Sequence, residues 1–91
     1  MNEEPFQVRL TATAQHCLRR LPDKIVGACL EFIAGPLAAD PHRLGKPLLR
    51  ELAGYHSAHR GAYRIVYEID DSARTMIVAR VDHRGDVYRS R

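Results

Sequence analysis

No apolar run in this 91-residue chain is long enough to cross a bilayer, because charged residues interrupt every hydrophobic stretch. The opening segment Met1-Asn2-Glu3-Glu4-Pro5 is acidic and has no apolar h-region, so no secretory signal peptide is expected. Both absences point to a cytoplasmic protein with no membrane partner. Cysteine is scarce. Cys17 and Cys29 fall on the apolar side of amphipathic patterns, where free cysteine packs as a small hydrophobe. A disulfide would need an oxidising compartment, and neither thiol has a second ligand at metal-binding spacing. Neither a metal nor any other cofactor is expected. The chain also lacks a P-loop and a nucleophile elbow, and its Asp and Glu residues are scattered. Nucleotide cradling and serine or cysteine nucleophile chemistry are therefore unsupported.

What the chain does hold is enough apolar material for a core, and an arginine bias. Hydrophobic residues make up 45% of it, which suits one compact domain over residues 1–91. The net charge is +3, and twelve of the fourteen basic residues are arginine. Residues 1–41 carry four basic residues against five acidic ones, whereas residues 42–91 carry ten against six and four of the five histidines. A planar guanidinium fork matches phosphate in a bidentate way that an ammonium does not. Charge runs by themselves usually mean a solvated face. The asymmetry still directs attention to the second half.

Phe6-Gln7-Val8-Arg9-Leu10 alternates with the period of a half-buried strand. Thr11 and Thr13 are available as N-caps for a helix whose Ala14, Cys17, Leu18 and Leu21 form one apolar stripe, with Arg19 and Arg20 on the wet side. Pro22-Asp23 opens a second helix with Ile25, Cys29, Phe32 and Ile33 on one face. Gly35-Pro36 weakens it, and Asp40-Pro41 ends it. Residues 42–54 read as irregular, and from Tyr55 the pattern becomes extended. Tyr63–Ile69 is β-rich and alternating, Asp70–Ala73 is a turn, and Arg74–Asp82 is the returning strand. A last extended piece is expected through Val87-Tyr88-Arg89. The order predicts an α+β domain: an N-terminal strand, a two-helix hairpin on one face of a small antiparallel sheet, then three antiparallel strands. Alternation sets Ile65, Tyr67 and Ile69 under the helices and Arg64 on the uncovered face, while 57 and 59 face away from 56, 58 and 60.

Several segments then carry a resemblance. They are Leu44-Gly45-Lys46-Pro47-Leu48, Leu52-Ala53-Gly54-Tyr55-His56-Ser57, Arg60-Gly61, Tyr63-Arg64-Ile65-Val66-Tyr67, and Asp82-His83-Arg84 with Val87-Tyr88. Together they resemble the RelE/ParE toxin superfamily, and its RelE branch in particular. The pairing of G-x-Y-R-I-V-Y with a C-terminal H-R-x-x-x-Y is fairly specific, and the element order matches over nearly the whole chain.

The resemblance implies a toxin of a type II toxin–antitoxin system acting as a ribosome-dependent, metal-independent mRNA endonuclease. In such an enzyme the RNA 2′-hydroxyl attacks the adjacent phosphate, leaving a cyclic phosphate and a free 5′-hydroxyl. Arg64 matches the strand arginine that holds the scissile phosphate, Arg84 a second arginine near the leaving oxygen, and Tyr88 a tyrosine that orients the nucleotide. His83, beside Arg84, is a candidate for proton transfer or a simple RNA-facing donor. The family pattern has lysines on the strand before the arginine, where this chain has Tyr55, His56 and Ser57. His56, His59 or Arg60 is expected to take that role, and Lys46, Arg50 and Arg89 to contact RNA. The expected partners are the ribosome, mRNA and a small, acidic, partly disordered RelB-like antitoxin. A ParE-like DNA gyrase inhibitor without nuclease activity is the alternative, since fold alone does not choose between them.

Overall fold

The alternation at the start of the chain becomes strand β1 (Gln7–Leu10) in a computed structural model that describes residues 4–83. Thr11 follows it as the N-cap of helix α1 (Ala12–Arg19): its Oγ1 accepts from the Ala14 N–H and donates to the Ala79 carbonyl, each at 3.0 Å. One hydroxyl thus starts the helix and ties it to a distant strand. Ala14 and Leu18 are buried, with Cys17 and Leu21 packed beside them, and Arg19 and Arg20 are exposed.

Helix α2 (Asp23–Phe32) begins after Pro22 and buries Cys29. It runs on without a break into a π-turn, Ile33–Leu37, that contains Pro36. Proline has no N–H to donate and its ring crowds the carbonyl four residues back, so the wider turn accommodates it while Ile33 and Leu37 stay fully buried. Gly35-Pro36 therefore widens the helix where the composition predicted weakening. Asp40 stops it, and the short helix α3 (Pro41–Leu44) follows.

The remaining strands are β2 (Lys46–Pro47), β3 (Tyr55–Arg60), β4 (Tyr63–Asp70) and β5 (Thr75–His83), with a 3-10 turn at Arg50–Leu52. They form one five-stranded sheet in the order β1-β5-β4-β3-β2. The last three strands pair antiparallel, as the alternation predicts. Strand β1, however, lies parallel to β5, so the sheet is mixed. The helical segment between β1 and the later strands acts as the crossover that parallel pairing needs. The segment read as irregular also supplies β2, a two-residue edge strand too short for its alternation to register.

Helices and sheet share one core: Ala14, Leu18, Cys29, Ile33 and Leu37 against Ala58, Ile65, Tyr67, Met76, Val78 and Val81. Tyr67 lies at its centre. It is fully buried and its hydroxyl donates to the Pro41 carbonyl at 2.6 Å. Burial also pushes its pKa up to about 12, so the phenol stays neutral. Gly45 leaves room for that hydroxyl, since a Cβ there would fall 2.0 Å from it. Both cysteines are free thiols, Cys29 buried and Cys17 half-buried. Among the described residues, no helix is long and apolar enough to cross a membrane. The extended piece expected at residues 87–89, with Arg84, Tyr88 and Arg89, lies outside the described residues.

Candidate functional site

The sheet has one face under the helices and one turned away from them. Cross-strand partners share a face, so the pairings assign each side chain. His59 stands opposite Arg64, Ser57 opposite Val66, and Lys46 opposite Ser57. Asp82 stands opposite Arg64 from the other side, and Arg80 opposite Val66. Lys46, His59, Arg64, Arg80 and Asp82 therefore project from the face away from the helices.

Three sequence-predicted candidates are brought together there: Lys46, His59 and Arg64. Three others are not. His56, Arg60 and His83 alternate onto the helix side. His56 stacks on Tyr67 at 5.6 Å between ring centroids and meets His42 edge-on at 5.9 Å. Burial and the neighbouring His42 depress its pKa, partly offset by Asp71, whose carboxylate pairs with His42 at 2.9 Å. Arg60 borders Ala28, Glu31, Phe32 and Pro36, and lies near Cys29, whose thiol pKa is raised by burial and lowered in part by that guanidinium. The His83 ring meets Tyr63 edge-on at 5.0 Å. Arg50 sits in the 3-10 turn with a positive φ of 62°, outside the strand pairing altogether. The cause is the two-residue period: among adjacent basic and histidine positions on a strand, only every second one can join Arg64.

Arg80 is the residue that sequence reading missed. Plain alternation from Met76 and Val78 would send position 80 into the core. A bulge intervenes: Val66 pairs with Arg80 but Tyr67 with Val78, so Ala79 is an extra residue on β5. Bulges re-aim the side chains that follow them. Arg80 and Asp82 turn outward and Val81 turns inward. The signal was present, since the apolar set Met76, Val78 and Val81 breaks its own period after Val78. Beside Arg80, the side chains of Thr11, Thr13, Leu52, Tyr55 and Val66 line a hollow of about 290 Å³. Glu68, which stands opposite Tyr55, raises the phenol's pKa through hydrogen bonding and its charge, and burial adds to the rise.

The charges beside Arg64 are arranged around Asp82, while Glu68, another β4 carboxylate on this face, stands further along between Tyr55 and Ile77. Arg80 Nη2 lies 3.2 Å from Asp82 Oδ1 and 3.1 Å from Oδ2, and Arg64 Nη2 lies 3.9 Å from Oδ2. The Asp82 and Arg64 side chains are only 13% and 27% exposed. Lys46, Arg64 and Arg80, with the His59 imidazole and the Asp82 carboxylate beside them, can hold a polyanion and stabilise charge that develops on a phosphate. Among the described residues, no three His, Cys, Asp or Glu side chains are grouped as a metal site.

Residues 8–88 match the family model described as "ParE toxin of type II toxin-antitoxin system, parDE". The chain is 53% identical over 85 residues to Toxin RelG of Mycobacterium tuberculosis, covering 93% of this chain and 98% of that one. It is 50% identical over 88 residues to Toxin RelE of the same organism, covering 97% and 91%. The structure superposes with a TM-score of 0.86 on a chain from the crystal structure of the M. tuberculosis toxin–antitoxin complex RelBE2, at 52% identity over 90% of this chain and 94% of that one.

Proposed function

Since this chain belongs to the ParE toxin family of type II toxin–antitoxin systems and is RelE-like by its half-identical relatives, we propose that it is a metal-independent mRNA endonuclease that acts on the ribosome in the cytoplasm. The observation that carries this reading is the open sheet face on which Arg64 stands between His59 and Asp82, with Lys46 and Arg80 on the neighbouring pairs.

Cleavage by 2′-hydroxyl attack needs a proton acceptor, a counter-charge for the phosphorane, and a donor to the leaving 5′-oxygen. Arg64 supplies the counter-charge, because its guanidinium can grip two phosphate oxygens at once. His59 is the group on the same face that can accept or return a proton. Lys46 adds charge one strand pair further out. Arg84 and Tyr88 complete the site by resemblance, at the leaving oxygen and the nucleotide. His83, Arg89, Arg50, Arg60 and His56 are kept as outer RNA contacts, or in the case of His56 as a support for the core.

The partner that restrains this activity is a small, acidic, RelB-like antitoxin, whose carboxylates would neutralise the same arginines. The structural relative was solved as a toxin–antitoxin complex, which supports a partner of this kind.

The test is to supply the protein to ribosomes translating a defined message. Cleavage that continues in excess chelator, with cyclic phosphate ends, is the expected result. An intact message together with blocked DNA supercoiling would sink the nuclease reading and leave the gyrase inhibitor.

A further inference from the structure

We propose that Asp82 is a positioning residue of this site: its carboxylate holds the guanidiniums of Arg64 and Arg80 side by side for one RNA phosphate. The inference rests on the nuclease reading above. An acid is unexpected on a face meant for RNA, because it repels the very phosphates the arginines attract. Asp82 is nonetheless the least exposed charged group of the trio, at 13% against 27% for Arg64 and 55% for Arg80. It stands directly across from Arg64, and the Ala79 bulge is what turns both it and Arg80 outward.

The two arginines use it differently. Arg80 hydrogen-bonds to Asp82 Oδ1 at 3.2 Å and lies 3.1 Å from Oδ2. Arg64 lies 3.9 Å from Oδ2, beyond hydrogen-bond length, so Asp82 acts on it through charge rather than through a hydrogen bond. Among the described residues, Arg64 Nε and Asp82 Oδ2 are buried polar atoms without a hydrogen bond. The arrangement steers Arg64 without consuming its donors. A phosphate arriving beside Asp82 meets one guanidinium already fixed and another aimed but unspent.

A long, flexible arginine otherwise has to be ordered by the substrate itself. Asp82 thus weakens ground-state binding and improves alignment, which predicts that kcat and KM both fall when it is removed. In the ribosome cleavage assay with intact protein, Asp82→Asn should lower kcat about 10²-fold, as misalignment on the order of 1 Å does, and should also lower KM. An unchanged kcat, or a KM that rises, overturns the inference.

If Asp82→Asn shows no cooperative thermal unfolding, Asp82→Glu decides in its place. That variant keeps the ion pairs but moves the carboxylate by one methylene, so kcat should fall while KM holds. A wild-type kcat in Asp82→Glu then overturns the inference. Failure of the unmodified protein to cleave any message removes the nuclease reading and this inference with it, whereas cleavage by the unmodified protein leaves the variants to judge Asp82 alone.

Discussion

His59 faces Arg64 across the β3–β4 pairing, so an imidazole and a guanidinium leave the sheet side by side on its open face. Directly opposed side chains on a strand pair lie about 5 Å apart at Cβ, close enough to serve one phosphate and its neighbouring hydroxyl. If His59 moves the proton, His59→Ala should slow message cleavage by roughly 10²–10⁴-fold, the usual worth of a positioned acid or base. His83→Ala should cost less, because that ring packs on Tyr63 on the opposite face. Cleavage rates on ribosomes check both, and a larger loss for His83→Ala would reverse the assignment.

Arg64 is expected to act in the transition state more than in binding. Arg64→Ala should reduce cleavage by about 10²–10³-fold, as loss of a preorganised charge stabiliser does, and should relieve growth arrest when the toxin is expressed. The side chain is partly exposed, so the fold should survive, which circular dichroism can verify. Arg84→Ala is expected to relieve arrest as well. Continued toxicity of both variants would place the function elsewhere on the molecule.

Gly45 is required by volume, not by backbone angle. A Cβ at this position would meet the Tyr67 hydroxyl at 2.0 Å and the Ser57 carbonyl at 2.9 Å. Neither neighbour yields easily, because Tyr67 is fully buried and bonded to Pro41. Gly45→Ala should therefore destabilise the protein by about 1–3 kcal/mol, in line with other overpacked cores. Urea unfolding measures this directly, and an unchanged midpoint would contradict it.

Acid should weaken the fold through His56. Its folded-state pKa lies below the ordinary imidazole value, chiefly through burial and then through His42, with Asp71 opposing. The unfolded chain then binds the proton more readily than the native one, so stability is full above about pH 6.5 and declines as the pH falls below it. His56→Phe keeps a ring against Tyr67 and removes the titration. Melting temperatures between neutral and mildly acidic pH should fall less steeply in that variant. Parallel slopes would mean that another group dominates.

The sequence by itself determined the order of the main helices and strands, most of the core and the face on which Arg64 stands. Ala14, Leu18, Cys29 and Ile33 fall on helical faces, and Ile65 and Tyr67 on a strand face. These periodicities are local, and burial follows them wherever the backbone stays regular. The tertiary structure decided what depends on pairing. It alone joined β1 parallel to β5, recruited the two residues of β2, and sorted His59 and Lys46 from His56, Arg60 and His83 around Arg64. It also placed Arg80 and Asp82 on the open face, because one unpaired residue, Ala79, reverses the alternation for everything after it. Register relates residues far apart in sequence, and a period of two holds only until a bulge shifts it.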